Sequence, residues 1–147
     1  MSTSQNHAAS IIAAIAERIS QRHELMEDHV KILYTLVGER LFEAIHWAET
    51  GAVQVVTCPA GRRVYRVSEP SIDEGEMHAE RTQTCYLEPL HCSCPGFLRN
   101  VVCLQTDTMC SHLLAIMISE SLGCTAETHT MTDEAFAEAI YVWSSTK

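Results

Sequence analysis

HCSCPGFLRNVVCLQTDTMCSHLLA, residues 91 to 115, carries two tight pairs of metal-type ligands, Cys92-x-Cys94 and Cys110-x-His112, separated by a fifteen-residue spacer. Residues two apart on an extended strand point the same way. Cys92 and Cys94 can therefore converge on one ion, and Pro95-Gly96 turns the chain immediately after them. On a regular helix, residues two apart diverge. Cys110 and His112 can share a metal only if Cys110 stands at a helix start with His112 in the first turn, and helical periodicity does begin at Leu113. A helix N-terminus also favours a thiolate at Cys110. Three thiolates and an imidazole complete the tetrahedral shell of one zinc ion and leave no open position, so the expected site is structural and not catalytic. Such a site contributes on the order of 10 kcal/mol of apparent binding free energy, comparable with the whole stability of a domain. Loss of the metal is accordingly expected to unfold the C-terminal half.

The competing interpretation treats the cysteines as small buried hydrophobes. His91 and Cys103 are the nearest rival ligands. His91 faces away from Cys92 on a strand, and Cys103 sits among Val101, Val102 and Leu104, a run that looks like core. Cys58, Cys85 and Cys124 have no paired partner in the sequence and are expected to pack. His7, His23, His29, His46, His78 and His129 show no ligand spacing.

Outward from this stretch, the chain has 147 residues, 46% of them hydrophobic, enough for one domain with its own core. Seven cysteines are many for that length. The opening MSTSQNHAAS is polar, so no secretory signal is expected. Without an oxidising compartment, metal binding explains the cysteines better than disulfides do. No apolar run reaches membrane-spanning length, and the expected setting is cytosol or nucleus. A net charge of −9 with only two lysines argues against a chain that grips nucleic acid unaided by neutralising phosphates.

Periodicity divides the chain into a helical region, 1–51, and a region 52–147 holding strands, the metal stretch and C-terminal helices, the two folding as one unit. Residues 8–23 form an amphipathic helix with Ile11, Ile12, Ile15 and Ile19 on its stripe and Ser10 as N-cap. A second helix starts at Asp28 and runs through Val30, Leu33, Tyr34, Val37, Leu41, Ile45 and Ala48 to a stop at Gly51. Gly38 inside it would cost about 1 kcal/mol relative to alanine, which suggests close packing. AVQVVTC (52–58) and RRVYRVS (62–68) alternate and are β-branched, a hairpin turned by Pro59-Ala60-Gly61, and RTQTCYLEP (81–89) supplies a third strand. The acidic segment 69–80 is expected to be a mobile loop. Residues 112–122 form a helix ended by Gly123, the loop CTAETHT follows, and a last helix from about Thr132 to Trp143 shows Phe136, Ile140 and Trp143 on its stripe. The fold class is α+β: an N-terminal helical hairpin, a small antiparallel sheet with the zinc knuckle at its end, and helices on one face.

Cys92-x-Cys94, the spacer, and Cys110-x-His112-x-x-Ala115 resemble the SWIM zinc finger, whose pattern is Cys-x-Cys, a variable spacer, then Cys-x-His with an alanine three residues on. Together with Pro59 to Val67, Cys92 to Phe97 and the N-terminal helices, the chain is similar to the small SWIM-domain subunits of eukaryotic Shu complexes. The acidic segment at 69–80 departs from that pattern. The resemblance implies zinc held by Cys92, Cys94, Cys110 and His112, with Ala115 packing the finger's helix closely. It also implies a nuclear, non-enzymatic factor of homologous recombination. Such a factor pairs with a RecA-like recombinase paralogue and supports recombinase filaments on single-stranded DNA, reaching DNA mainly through its partner.

Two other functions compete. One is direct DNA binding through the Arg62, Arg63 and Arg66 cluster, with Arg99 in support, although the charge balance and the ordinary solvation of a strand face speak against it. The other is an enzyme using Cys103 or Cys85 as nucleophile, for which no activating neighbour is recognisable. A phosphate-binding GxxxxGK[ST] loop is absent from the sequence.

Overall fold

The computed structural model of the chain describes residues 2–69, 81–124 and 127–145. Helix α1 spans Thr3–Arg22, α2 Glu27–Val37 and α3 Arg40–Glu49. Strands β1 (Val53–Thr57), β2 (Arg63–Glu69), β3 (Arg81–Leu87) and β4 (Leu90–Cys92) follow, then a π-helical turn at Phe97–Cys103, helix α4 (Ser111–Leu122), strand β5 (Glu127–Thr130) and helix α5 (Asp133–Ser145). Most of the acidic segment, 70–80, lies outside the described residues, so its expected looseness is untested.

The N-terminal helices differ from the expected hairpin in an instructive way. α1 begins five residues earlier than residue 8, because Ser2 rather than Ser10 is its N-cap. The Ser2 hydroxyl accepts from the Gln5 N–H at 3.2 Å, and the Gln5 side-chain carbonyl accepts from the Ser2 N–H at 2.9 Å, a reciprocal capping box. Ile12, Ile15 and Ile19 are buried, while Ile11 at the edge of the stripe is exposed. The second helix is in fact two. Gly38 takes φ 72° and ψ −147°, a conformation open essentially to glycine alone, and the chain re-enters helix at Arg40. Among the described residues no atom lies within 4 Å of where a Gly38 Cβ would stand, so backbone conformation and not close packing fixes this glycine. Met26 rather than Asp28 occupies the N-cap of α2, its N–H donating to His29 Nδ1 at 3.2 Å.

Among the described residues, the sheet has five strands in the order β4-β3-β2-β1-β5. The antiparallel pairings of β1 with β2 and of β2 with β3 were expected in kind and β4 adds a third, but β5 runs parallel to β1, pairing Gln54 with Glu127 through Thr57 with Thr130, so the sheet is mixed. The segment taken from sequence as the loop CTAETHT supplies this strand. Four residues with no apolar alternation carry too little pattern to announce themselves. Helices also cover both faces, not one. On the first face Val53, Val55, Tyr65, Val67 and Cys85 pack with α1, α3 and α4 in the main core. On the second, Val56, Cys58 and Val64 meet Phe136, Ile140 and Trp143 of α5. The period-2 alternation of β1 and β2 produces this split, since adjacent residues such as Val64 and Tyr65 enter different cores.

α4 is the axis of the molecule. Ten of its twelve residues are buried, including Leu113, Leu114, Ala115, Ile116 and Ile118. A helix apolar all round must be covered all round, and here the sheet covers one side and α1 and α3 the others. Residues from 1–51 and from 52–122 share one continuous core. Among the described residues, no helix is long and apolar enough to cross a membrane.

Candidate metal centre

Cys92 closes β4, and Cys94 follows two residues later, just before the chain turns into helix at Pro95. Cys110 is the N-cap of α4 in extended conformation (φ −83°, ψ 170°), which places His112 second in the helix. This is the arrangement that lets a Cys-x-His pair converge. The four ligand atoms lie within 4.8 Å of one another, all four residues are buried, and no other group of metal-binding side chains forms among the described residues. Zinc–sulfur bonds of about 2.3 Å at tetrahedral angles place sulfurs about 3.8 Å apart, so the cluster needs only slight contraction around an ion.

The imidazole is oriented from outside the cluster. His112 Nε2 is hydrogen-bonded to the Glu69 carboxylate at the end of β2, and the ring stacks on the Trp47 indole with centroids 4.9 Å apart and planes at 17°. Its other nitrogen, Nδ1, is buried with no hydrogen-bond partner among the described residues. With Nε2–H donating to Glu69, the lone pair is on Nδ1, so a metal is the partner that satisfies this nitrogen. Backbone N–H groups support the sulfurs: Cys94 N–H donates to Cys92 Sγ at 3.5 Å, and Phe97 N–H to Cys94 Sγ at 3.3 Å.

Without metal, protons must hold the cluster together, and they distribute unequally. Hydrogen bonds from the Cys110 and Cys92 thiols outweigh burial and hold Cys94 far below the usual thiol range. Cys110 is pushed well up by its bonds to Cys92 and Cys94 and by burial. Cys92 also rises, because the lowering effect of Cys110 is outweighed by Cys85, Cys94 and burial. Burial disfavours the His112 imidazolium, yet Cys110, Cys94 and Glu69 more than compensate and bring its pKa to about 10. Zinc binding replaces the protons that the raised groups, Cys92, Cys110 and His112, carry in the metal-free cluster.

The loop that brings Cys110 into place is held by the N-terminal helices. Arg40 donates to Met109 O at 2.7 Å and pairs with Asp107 at 2.9 Å. Buried Gln5 donates its side-chain amide to Val101 O at 3.0 Å and Asp107 O at 2.8 Å. None of Glu69, Trp47, Arg40 or Gln5 was singled out from sequence. Each acts across a long sequence separation, and the only local trace was the Ser2–Gln5 spacing of a capping box.

Other candidates fall elsewhere. His91 is exposed, against the rings of Tyr86 and Phe97, as its strand position required. Cys103 was expected in the core but is exposed, since the π-helical turn buries Phe97 and Val101 and leaves Val102, Cys103 and Leu104 outside. Cys58 and Cys85 are buried as expected, whereas Cys124, expected to pack, is exposed. The three arginines do not form one surface. Arg66 places its guanidinium 3.9 Å above the Trp143 ring under α5, while Arg63 lies on the other face of β2, 3.8 Å from Glu120 of α4. Arg62 and Arg99 are exposed.

No family model matches the chain, and no solved structure matches it. Among characterised proteins, it is 26% identical over 110 residues to zinc finger SWIM domain-containing protein 7 of Homo sapiens, covering 75% of this chain and 73% of that protein. The Mus musculus protein of the same name is 27% identical over 129 residues, 83% of this chain and 80% of its own length. That of Danio rerio is 25% identical over 116 residues, with 79% and 77% covered. Most of this chain is thus similar to SWIM-domain zinc-finger proteins, and its buried cluster of three thiols and one imidazole is built for a single structural zinc ion.

Proposed function

We propose that the chain is a non-enzymatic subunit of a Shu-type complex, in which Cys92, Cys94, Cys110 and His112 hold the zinc that keeps a docking domain folded. Its partner is a RecA-like recombinase paralogue, and the pair promotes assembly or stability of recombinase filaments on single-stranded DNA during recombination repair in the nucleus. The observation that carries this reading is similarity over most of the chain to proteins named for a SWIM zinc finger, joined to the Shu-type pattern of residues 59–67, 92–97 and 110–115. A closed ligand set supports a scaffold role, because no coordination position is left for a substrate. The surface is consistent with a protein partner: Tyr34 and Phe42 form an outward-facing aromatic pair on α2 and α3, with ring centroids 5.5 Å apart and exposures of 41% and 52%.

Direct DNA binding through Arg62, Arg63 and Arg66 is the alternative. The division of these side chains between two faces of β2 and the net charge of −9 weigh against it. Co-expression with RecA-like paralogues tests the main reading. A stable 1:1 complex that survives size exclusion is expected, together with DNA binding that depends on the partner. A monodisperse chain that captures no such paralogue, or that alone binds DNA with a steep salt dependence, contradicts it.

A further inference from the structure

Of the two buried thiols outside the four-ligand set, Cys58 and Cys85, the second lies against it. Cys85 of β3 stands directly opposite Cys92 of β4 in the antiparallel register, and its thiol lies 3.3 Å from Cys92 Sγ. Ser93, next along, accepts from the Thr84 N–H through its hydroxyl at 2.9 Å and donates its own N–H to Thr84 O at 3.0 Å, which pins the strands at this pair. Residues opposed in an antiparallel pair have Cα atoms about 4.5–5.5 Å apart, inside the range a disulfide spans. Closing the bond to about 2.05 Å therefore needs side-chain rotation and no separation of the strands. The Cys92 sulfur can bond to Cys85 or serve as a full ligand to zinc, but not both.

We propose that Cys85 is the resolving thiol of the metal centre, so that oxidation by a peroxide closes a Cys85–Cys92 disulfide and releases the zinc. This rests on the four-residue zinc reading above. A cavity of about 270 Å³ beside the centre reaches Cys94, Cys110 and His112 and is large enough for hydrogen peroxide. A ligand thiolate attacks one peroxide oxygen, the O–O bond breaks, and the departing hydroxide takes up a proton to become water. A neighbouring thiol then attacks the sulfenic sulfur, giving up its proton, and a second water leaves as the disulfide forms. Where the sulfur first oxidised is Cys94 or Cys110, it bonds to Cys92, and Cys85 displaces it by thiol–disulfide exchange. In sum, one thiol, one zinc-bound thiolate, one peroxide and one proton give a disulfide, two waters and a free zinc ion, the two sulfurs supplying the two electrons.

The test uses the full zinc-loaded chain, with zinc per chain measured first, then treated with hydrogen peroxide while a chromophoric chelator reports release. Chymotryptic cleavage after Tyr86 separates Cys85 from Cys92, so their disulfide is seen as two linked peptides. The expected result is zinc release matched by the Cys85–Cys92 link, with zinc taken up again after reduction. Cys85→Ser should load zinc but lack the link, and its ligand sulfurs should pass on to sulfinic acid, lowering zinc re-uptake several-fold. Disulfides confined to the ligand cysteines with Cys85 still a free thiol, or full recovery in Cys85→Ser, overturn the proposal and leave the zinc site standing. A folded chain without zinc before oxidation overturns both. The wild-type peptide map gives its answer even if the variant fails to fold.

Discussion

At the residue scale, the His112 ring is held between a carboxylate and an indole, and this matters for metal affinity because an imidazole ligates well only in the correct tautomer. Glu69 fixes that tautomer by accepting from Nε2–H. Glu69→Ala should weaken zinc binding by about 10- to 100-fold, measured by chelator competition, with Glu69→Gln falling between because its amide carbonyl still accepts. Unchanged affinity in Glu69→Ala would show that Trp47 alone orients the ring. Protonation gives a second prediction. His112 holds its proton more tightly in the folded metal-free chain, with a pKa of about 10 against an ordinary 6.5, and Cys92 and Cys110 are raised as well. The sign for His112 follows: with its pKa raised on folding, its contribution to the metal-free fold is complete below about 6.5 and disappears as pH rises through about 10, while the lowered Cys94 thiol acts in the opposite sense. Zinc must displace these protons, so its affinity should climb with pH across the neutral range. Calorimetry in buffers of different ionisation enthalpy should detect net proton release on zinc binding, and none would contradict this charge distribution.

The elements show which parts of the fold a sequence can reveal. The β1–β2 hairpin, β3, and α4 with its Gly123 stop follow the periodicities of residues 52–58, 62–68, 81–89 and 112–122 closely, because each buries a regular face. The metal pair geometry was equally legible, since Cys110 must precede the helix for His112 to reach the same ion. Harder to see were the places where backbone or distant contacts decide. Gly38 ends α2 through a positive φ that helical spacing on either side conceals. The π-helical turn shifts Cys103 outward, and β5 owes its strand to pairing with β1 and not to any pattern of its own. Gly38 offers a clean test of sign. In a continuous helix Gly38→Ala would stabilise by about 1 kcal/mol; at φ 72° it should instead destabilise by about 1 kcal/mol or more. Chemical denaturation distinguishes the two, and a stabilised variant would restore the single long helix.

On the scale of the whole molecule, the metal centre sits where the two halves meet. α4 begins at Cys110 and is wrapped by α1, α3 and the sheet, while Gln5 and Arg40 hold the loop leading into it. Zinc removal should therefore loosen the N-terminal helices together with the C-terminal half, a wider effect than the sequence alone suggested. The central claim is that one zinc ion held by Cys92, Cys94, Cys110 and His112 organises this fold. Elemental analysis by plasma mass spectrometry, run beside circular dichroism on the wild-type chain and on Cys92→Ser, Cys110→Ser and His112→Ala, tests it most directly. The account predicts one zinc per wild-type chain, and in each variant loss of both metal and cooperative folding. A cooperatively folded wild-type chain free of zinc, or variants that keep their fold without it, would contradict the account.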